Sequence, residues 1–165
     1  MRYRHIFLIG FALLMTGCSG AVSDKASQST AQWVIGKGGS VNVVGRTLDF
    51  KAVTDLPSGS FAIDRLILNN TQVTDNELQK NLVGLEHITY LGLHTTSASD
   101  AAIDSIVGLK TLTELELSHT QITDDGLSKL KGLSGLKKLY IYNNVLTDKA
   151  IADVKSALPN CTIHH

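Results

Sequence analysis

Two histidines and one glutamate are the side chains of this sequence best suited to metal or acid–base chemistry. His94 precedes Glu116 by 22 residues, and His119 follows Glu116 by three. Two imidazoles and a carboxylate form a ligand set that zinc accepts. The spacing does not bring them together by itself, and contact requires that they lie on neighbouring strands ~4.8 Å apart. We predict no metal and no cofactor, and keep this trio as an alternative.

Motifs for other catalytic chemistry are missing from the sequence. The segment from Gly36 to Ser40 is rich in glycine, but its order does not match the G-x-x-x-x-G-K-[ST] of a phosphate-binding loop. There is no G-x-S-x-G nucleophile elbow and no H-E-x-x-H metalloprotease motif. We therefore expect a protein that is not an enzyme.

The N-terminal sequence MRYRHIFLIGFALLMTGCSG combines a basic start with a short apolar run. The run of ten apolar residues from Ile6 to Met15 is too short for a membrane-spanning helix, which needs ~20 residues, and fits a signal peptide. Met15-Thr16-Gly17-Cys18 resembles the bacterial lipobox, whose cysteine is lipidated. The resemblance implies a signal peptide over 1–17 and a lipid anchor on Cys18. With Ser19 following, it also implies an outer-membrane location, in the cell envelope, where the source has an outer membrane.

Length and charge restrict the classes of function. A chain of 165 residues has room for one modest domain. Without residues 1–17 it has 13 basic and 15 acidic residues, a net charge of −2, so we expect no nucleic-acid partner. After Cys18, only Cys161 remains, and we expect its thiol to be buried and unreactive.

The region before residue 63 divides into a tether and a cap. Residues 18–30 are small and polar, which is typical of a flexible tether, and a helix is expected to begin near its end. Residues 31–62 predict a cap made of a short helix ended by Gly36, a strand over Ser40 to Val44, and a second strand over Leu48 to Val53.

From residue 63 to 165 the sequence repeats itself. Pairs of apolar residues separated by one position recur 25, 24 and 24 residues apart, and a truncated fifth unit is placed 22 residues later. A threonine or asparagine follows each of the first four pairs, where it is expected to satisfy backbone groups as the strand bends away. The pairs are Leu66/Leu68, Leu91/Leu93, Leu115/Leu117, Leu139/Ile141 and Cys161/Ile163.

The second half of each unit begins with a hydroxyl residue and an aspartate, which suits the N-cap and first turn of a helix. Thr74 and Glu77 are spaced as a capping box. The spacing of apolar residues predicts one helix for each unit. The four pairs are Thr74-Asp75, Ser99-Asp100, Thr123-Asp124 and Thr147-Asp148.

The segments ITDDGLSKLKGLSGLKKLYI and LPNCTI are similar to bacterial leucine-rich repeats of the ribonuclease-inhibitor-like and F-box-associated kind. The resemblance implies an α/β solenoid with four full repeats and a truncated terminal strand. A parallel sheet would line its concave face and helices its convex face. It also implies that strand residues pointing away from the core form the binding surface.

The predicted concave face collects most of the tyrosine and histidine side chains of the chain. Tyrosine provides apolar area and a hydrogen bond together, as binding surfaces require. The alternative is that short strands favour aromatic residues for their own stability. The candidate partner-binding residues are Tyr90, His94, Glu114, Glu116, His119, Lys138, Tyr140 and Tyr142.

Size limits what this face can bind. Five strands span ~24 Å and each is ~15 Å long, so the footprint is roughly 360 Å², below the ~800 Å² per partner of a standard stable interface. We predict a membrane-anchored lipoprotein that binds a protein partner of the envelope with modest or multivalent affinity. A structural lipoprotein, self-associating through its uncovered last strand, is the alternative, and a metal-dependent enzyme is a third.

Overall fold

The computed structural model of the chain describes residues 26–165. The predicted signal peptide over 1–17, the lipidated Cys18 and the first part of the predicted tether lie outside these residues. None of the helices within 26–165 has the length and apolar character needed to cross a membrane.

The N-terminal cap consists of helix α1 (Ser27–Gly36) and strand β1 (Ser40–Val43). Because α1 begins at Ser27 and buries Thr30, the last four residues of the predicted tether belong to this helix, which agrees with the expected helix start near the end of the tether. The second predicted cap strand is wrong. In that region only Phe50 pairs with Val41, as an isolated antiparallel bridge, and a 3₁₀ turn begins at Val53.

A single six-stranded sheet runs through the molecule in the chain order of its strands. β1 pairs with β2 in the antiparallel sense, and every later pair is parallel. Each parallel strand continues the same register, so the first leucine of each predicted pair lies beside its counterpart in the next repeat. The strands of the repeats are β2 (Ile63–Ile67), β3 (Tyr90–Gly92), β4 (Glu114–Glu116), β5 (Lys138–Tyr140) and β6 (Thr162–His164).

One helix follows each of the strands β2 to β5, and the predicted hydroxyl residues cap all four helices. Each hydroxyl oxygen accepts a backbone N–H from the first turn, and Thr74 with Glu77 forms the predicted capping box. The helices are α2 (Asp75–Asn81), α3 (Asp100–Ile106), α4 (Asp124–Lys129, extended by a 3₁₀ turn over Leu130–Gly132) and α5 (Asp148–Ala157).

The aspartate after each of the first three helix caps bonds to the next repeat, an interaction that the sequence pattern did not predict. Asp100 accepts the backbone N–H of Thr123 at 2.9 Å and its hydroxyl at 2.5 Å. Asp75 does the same for Ser99, and Asp124 for Thr147. We call this the aspartate ladder. It couples adjacent helices in addition to the shared core.

The threonine or asparagine that follows each of the strands β2 to β5 by four residues turns inward, as predicted. The hydroxyls of Thr71, Thr96 and Thr120 donate to carbonyl oxygens of their own repeat at 2.6–2.8 Å. Asn144 reaches further, because its amide donates to Leu117 O and its oxygen accepts the N–H of Thr120. These bonds satisfy backbone groups where the chain leaves the sheet.

The last repeat differs from its prediction by two residues. Leu139 pairs with Ile163 and Tyr140 with His164, so the final unit keeps the 24-residue spacing and Cys161 does not occupy the predicted core position. The reason is that β6 begins 14 residues after α5 begins, the same interval that separates the starts of α3 and β4 and of α4 and β5. Cys161 is half-buried, and burial raises the pKa of its thiol. The thiol thus packs against the core without being buried in it, so the expectation of a buried thiol was wrong in degree.

One continuous hydrophobic core connects the cap to the last helix. It extends from Ala31 and Val34 of α1, through the strand leucines, to Val154 and Leu158 at the C-terminal end. Burial of apolar surface contributes ~25 cal/mol per Å², so this shared core is the main stabilising contribution. No single repeat can bury its apolar face alone, so the repeats depend on one another for stability.

Candidate functional site

The concave face of the sheet is built from two rows of side chains that the strand register places side by side. One row contains Arg65, Tyr90, Glu114, Lys138 and Thr162. The second row contains Ile67, Gly92, Glu116, Tyr140 and His164. The eight predicted partner-binding residues belong to these rows or to the turns that follow them. The structure thus brings them to one surface, and their role in binding stays a prediction.

The cap limits this surface at its N-terminal end. Ser40 and Asn42 of β1 continue the two rows, yet they are only 6% and 4% exposed. The Asn42 amide donates to Asp49 at 3.3 Å, so the segment after β1 lies against it. The accessible concave face therefore begins at β2.

Tyr90 is engaged within the protein. The Arg65 guanidinium lies 4.0 Å from the centre of the Tyr90 ring, a cation–π contact. The hydroxyl of Tyr90 hydrogen-bonds the side chain of Asn69, and burial raises the pKa of this hydroxyl. Gly92 makes room for the ring, since a Cβ there would meet ring atoms of Tyr90 at 3.0 Å.

Two further positions, which the alternation of the strands also places on this face, are covered. Gly92 is buried beneath Tyr90, and Ser118 is 2% exposed because its hydroxyl accepts the backbone N–H of Tyr142 at 3.1 Å. At Gly92 the cause is that the Tyr90 side chain lies over a residue without a side chain of its own, and at Ser118 it is the bond to the backbone of the next repeat. The sequence alone does not reveal the direction in which a tyrosine side chain lies.

The rim beyond the strands is shaped by a backbone turn that recurs in four repeats. Asn70, Thr95, His119 and Asn143 have φ values of 53–59°, in the left-handed region. Asparagine tolerates this region better than other non-glycine residues, so Asn70 and Asn143 were the available sequence signal. At Thr95 and His119 this strained conformation is held by backbone hydrogen bonds to the next repeat. One of them runs from the His119 N–H to Tyr142 O, at 2.8 Å.

The histidine and glutamate trio lies close together but does not converge on one point. The rings of His94 and His119 meet edge to face, with centroids 5.1 Å apart. His119 Nε2 lies 2.9 Å from the Asn143 amide nitrogen, and the Glu116 carboxylate accepts the Ser118 N–H at 2.8 Å. His119 and Glu116 thus have partners outside the trio. Within residues 26–165, no three or more His, Cys, Asp and Glu side chains form a group that could hold a metal ion.

The more accessible half of the face is the C-terminal one, because Lys138 and Thr162 are the exposed members of the two rows. The Tyr140 ring stacks on His164, with centroids 4.6 Å apart and planes 8° apart. Tyr142, the next residue with an outward side chain, is 44% exposed. Lys138 lies in the row beside Glu114, with 3.7 Å between Nζ and the carboxylate, and its side chain is 53% exposed. An aromatic shelf with basic residues at its border therefore lies on β5 and β6.

Comparison with known proteins supports the fold. A sequence profile described as Leucine Rich repeat matches residues 108–131. A comparison with curated protein sequences gives no match.

Among solved structures, the chain is similar to the actin-binding site 2 of leiomodin-1, with a TM-score of 0.50 and 20% identity over 62% of this chain and 70% of that one. It is also similar to two internalins of Listeria monocytogenes str. 4b F2365. For internalin C2 the TM-score is 0.42 and the identity 21%, over 86% of this chain and 73% of that one. For the internalin inlF the TM-score is 0.42 and the identity 20%, over 61% of this chain and 34% of that one. The fold of this chain is a short leucine-rich repeat solenoid.

Proposed function

We propose that this chain is a lipid-anchored protein of the bacterial cell envelope that binds a protein partner through the concave face of its repeats. The observation that carries the proposal is the aromatic shelf on β5 and β6, where Tyr142 is 44% exposed beside the stacked Tyr140 and His164. An exposed tyrosine beside a partly exposed one gives apolar area and hydrogen bonds at low entropic cost, as binding sites require.

A non-catalytic role is part of this proposal. Leucine-rich repeats present extended concave surfaces to other macromolecules. The solved structure of leiomodin-1 mentioned above is an actin-binding site, so proteins of this fold include protein-binding ones. We propose binding without catalysis for this chain, with neither metal nor cofactor. The small footprint favours modest affinity or several weak contacts together.

The test compares two sets of tyrosine substitutions in a capture experiment. Partners are cross-linked to the full chain in intact envelopes and identified, and the isolated partner is then bound to variants. We expect Y140A/Y142A to lose capture, because both side chains belong to the accessible half. The control Y90F should retain capture, since it keeps the ring in contact with Arg65. Unchanged capture by Y140A/Y142A, with normal thermal stability, would contradict a site on this shelf.

The membrane anchor is a separate part of the proposal and has its own test. Replacing Cys18 with Ser removes the thiol that would be lipidated, so the protein should move from the membrane fraction to the soluble fraction. Mass spectrometry of the native N-terminus should show an acylated cysteine. If C18S stays in the membrane fraction and the native residue has no acyl group, the protein has no lipid anchor at this residue.

Self-association is the second candidate function, and a specific observation favours it. In the described part of the chain, no strand pairs with the outer edge of β6, and Ile163 and Cys161 beside this edge are half-buried. An uncovered edge can pair with another strand. Sedimentation of the C18S protein should then show dimers that the variant I163K lacks. A monomer at all concentrations would exclude this role.

A further inference from the structure

Charge is distributed unevenly along the solenoid. Residues 26–125 contain six basic and twelve acidic side chains, a net charge of −6. Residues 126–165 contain six basic and two acidic side chains, a net charge of +4. Because repeats follow one another in space, this difference in sequence becomes a difference between the two ends of the molecule.

Part of this positive charge lies beside the aromatic shelf. Lys137 and Lys138 are consecutive and exposed, at the start of β5. Together with the shelf they form what we call the basic aromatic patch, made of Lys137, Lys138, Tyr140, Tyr142 and His164. Lys138, Tyr140 and Tyr142 occupy alternate positions of one segment, about 7 Å apart, and His164 stacks on Tyr140, so these four side chains fall within reach of a single bound segment. Lys137 precedes Lys138 directly.

Lys137 is in an unusual place for a long charged side chain. The corresponding residues of the two preceding repeats are Thr89 and Thr113, whose short hydroxyls bond back to the backbone of the previous repeat. Lys137 retains only the backbone part of that pattern, donating its N–H to Thr113 O at 2.7 Å. Its ammonium group is therefore not used to hold the repeats together.

The acidic residues closest to the patch are already engaged. Glu114 lies 3.7 Å from Lys138, a partly exposed pair in which the lysine side chain remains 53% accessible. Glu116 accepts the backbone N–H of Ser118 at 2.8 Å. An exposed ion pair of this kind contributes little, so Lys138 can exchange Glu114 for a carboxylate of a partner at small cost.

We propose that the basic aromatic patch binds an acidic segment of the partner protein, with the lysines pairing with carboxylates and Tyr142 contacting apolar side chains between them. This inference rests on the proposed function and assigns the chemistry of the partner. Complementary charge speeds association and excludes basic partners, which suits a small face whose apolar area is limited.

The experiment uses a fluorescent peptide of alternating glutamate and leucine, with a glutamine-for-glutamate peptide as its neutral counterpart. Binding to the full C18S chain is measured by fluorescence anisotropy. We expect the acidic peptide to bind at least about tenfold more tightly than the neutral one, and the difference to shrink in high salt. The variant K137E/K138E should lose this preference.

A matched control separates local charge from total charge. K51E/K80E makes the same change in net charge on exposed lysines of the cap and of α2, outside the patch. It should bind the acidic peptide as the unsubstituted chain does. Because K138E places a like charge beside Glu114, K137Q/K138Q is measured as well and should also lose most of the preference.

Three results would overturn the inference. These are equal binding of both peptides, equal loss in the K51E/K80E control, and retained preference in K137Q/K138Q. Its failure is distinguishable from failure of the proposed function. If the chain binds both peptides equally while Y140A/Y142A still loses the native partner, the shelf binds that partner by other chemistry.

Discussion

Glu77 joins the cap to the first repeat through one ion pair, and its carboxylate also accepts two hydrogen bonds from the residue that caps its own helix. Its carboxylate accepts the backbone N–H of Thr74 at 3.0 Å and the Thr74 hydroxyl at 3.1 Å, and it forms an ion pair with Lys37 of the cap. In later repeats the N–H at this position bonds to the aspartate of the preceding helix. The helix that precedes the first repeat, α1, contains no aspartate. Glu77, which lies in the helix that Thr74 caps, takes the place of that aspartate.

This arrangement predicts a specific dependence of stability on pH. The bond to Lys37, together with the Thr74 N–H, lowers the pKa of Glu77 from 4.5 to about 2. A carboxylate with a lowered pKa stabilises the folded state fully above its unfolded pKa and loses that contribution as pH falls through its folded pKa. Stability should therefore decline as pH falls from about 5 to about 2.

The variant E77Q should show less of this decline. At pH 7 we expect a lower melting temperature than that of the unsubstituted chain, and the two curves should converge as pH approaches 2. Thermal unfolding across this range is the measurement. E86Q, the same change at an exposed position of the loop after α2, is the control and should leave the profile unaltered. Parallel profiles for E77Q and the unsubstituted chain would contradict this account.

At the scale of the element, each helix is positioned by the aspartate ladder and by close packing against its neighbour. Helices α3 and α4 pack closely at Gly126, because a Cβ at this position would overlap the Asp100 carboxylate that bonds to Thr123. A glycine inside a helix is otherwise unfavourable. Here it permits α3 and α4 to approach with the ladder intact.

Substitution of Gly126 with Ala should destabilise the protein although alanine is the better helix former. We expect a loss of about 1–3 kcal/mol in the free energy of unfolding, the usual range for overpacking. Gly132, which has nothing within 4 Å of a built Cβ, is the control, and G132A should be neutral or slightly stabilising. Denaturant unfolding gives both values, and a stabilised G126A would show that Asp100 moves aside freely.

At the scale of the whole molecule, each repeat contacts only its neighbours, and the effect of a substitution should depend on its place in the array. Leu115 lies at the centre of the sheet and is fully buried, whereas Ile151 lies in the last helix. Cutting either side chain to alanine leaves a cavity, at a cost of about 2–5 kcal/mol when the site cannot collapse.

We predict different patterns of hydrogen exchange for the two variants. I151A should raise exchange in α5 and β6 and leave the cap protected, because the last repeat has a neighbour on one side only within the described residues. L115A should raise exchange through the repeats on both sides of β4. Mass spectrometry of peptides from the two proteins checks this, and uniform exchange in I151A would indicate that the array unfolds as one unit.

Most of the fold follows from the sequence because its signals are local and periodic. The 24- and 25-residue spacing, the leucine pairs and the hydroxyl–aspartate caps each act within one repeat, so four strands, four helices and the inward Thr and Asn residues were predicted correctly. The strand period of two also determined which residues share the concave face, and the eight candidate residues lie there together. Whether they bind a partner remains a prediction.

Only the tertiary structure decided how these parts meet. The two-residue error at Cys161 came from aligning Cys161 with Leu139, whereas the sheet register pairs Leu139 with Ile163. The second predicted cap strand is reduced to the single bridge between Phe50 and Val41. The aspartate ladder and the position of the Tyr90 ring depend on contacts between residues about 25 positions apart. Such contacts are absent from any local pattern, because side-chain direction and packing are determined by the neighbouring repeat. The accessible shelf on β5 and β6 is the result of these contacts, and it is where we place the binding site.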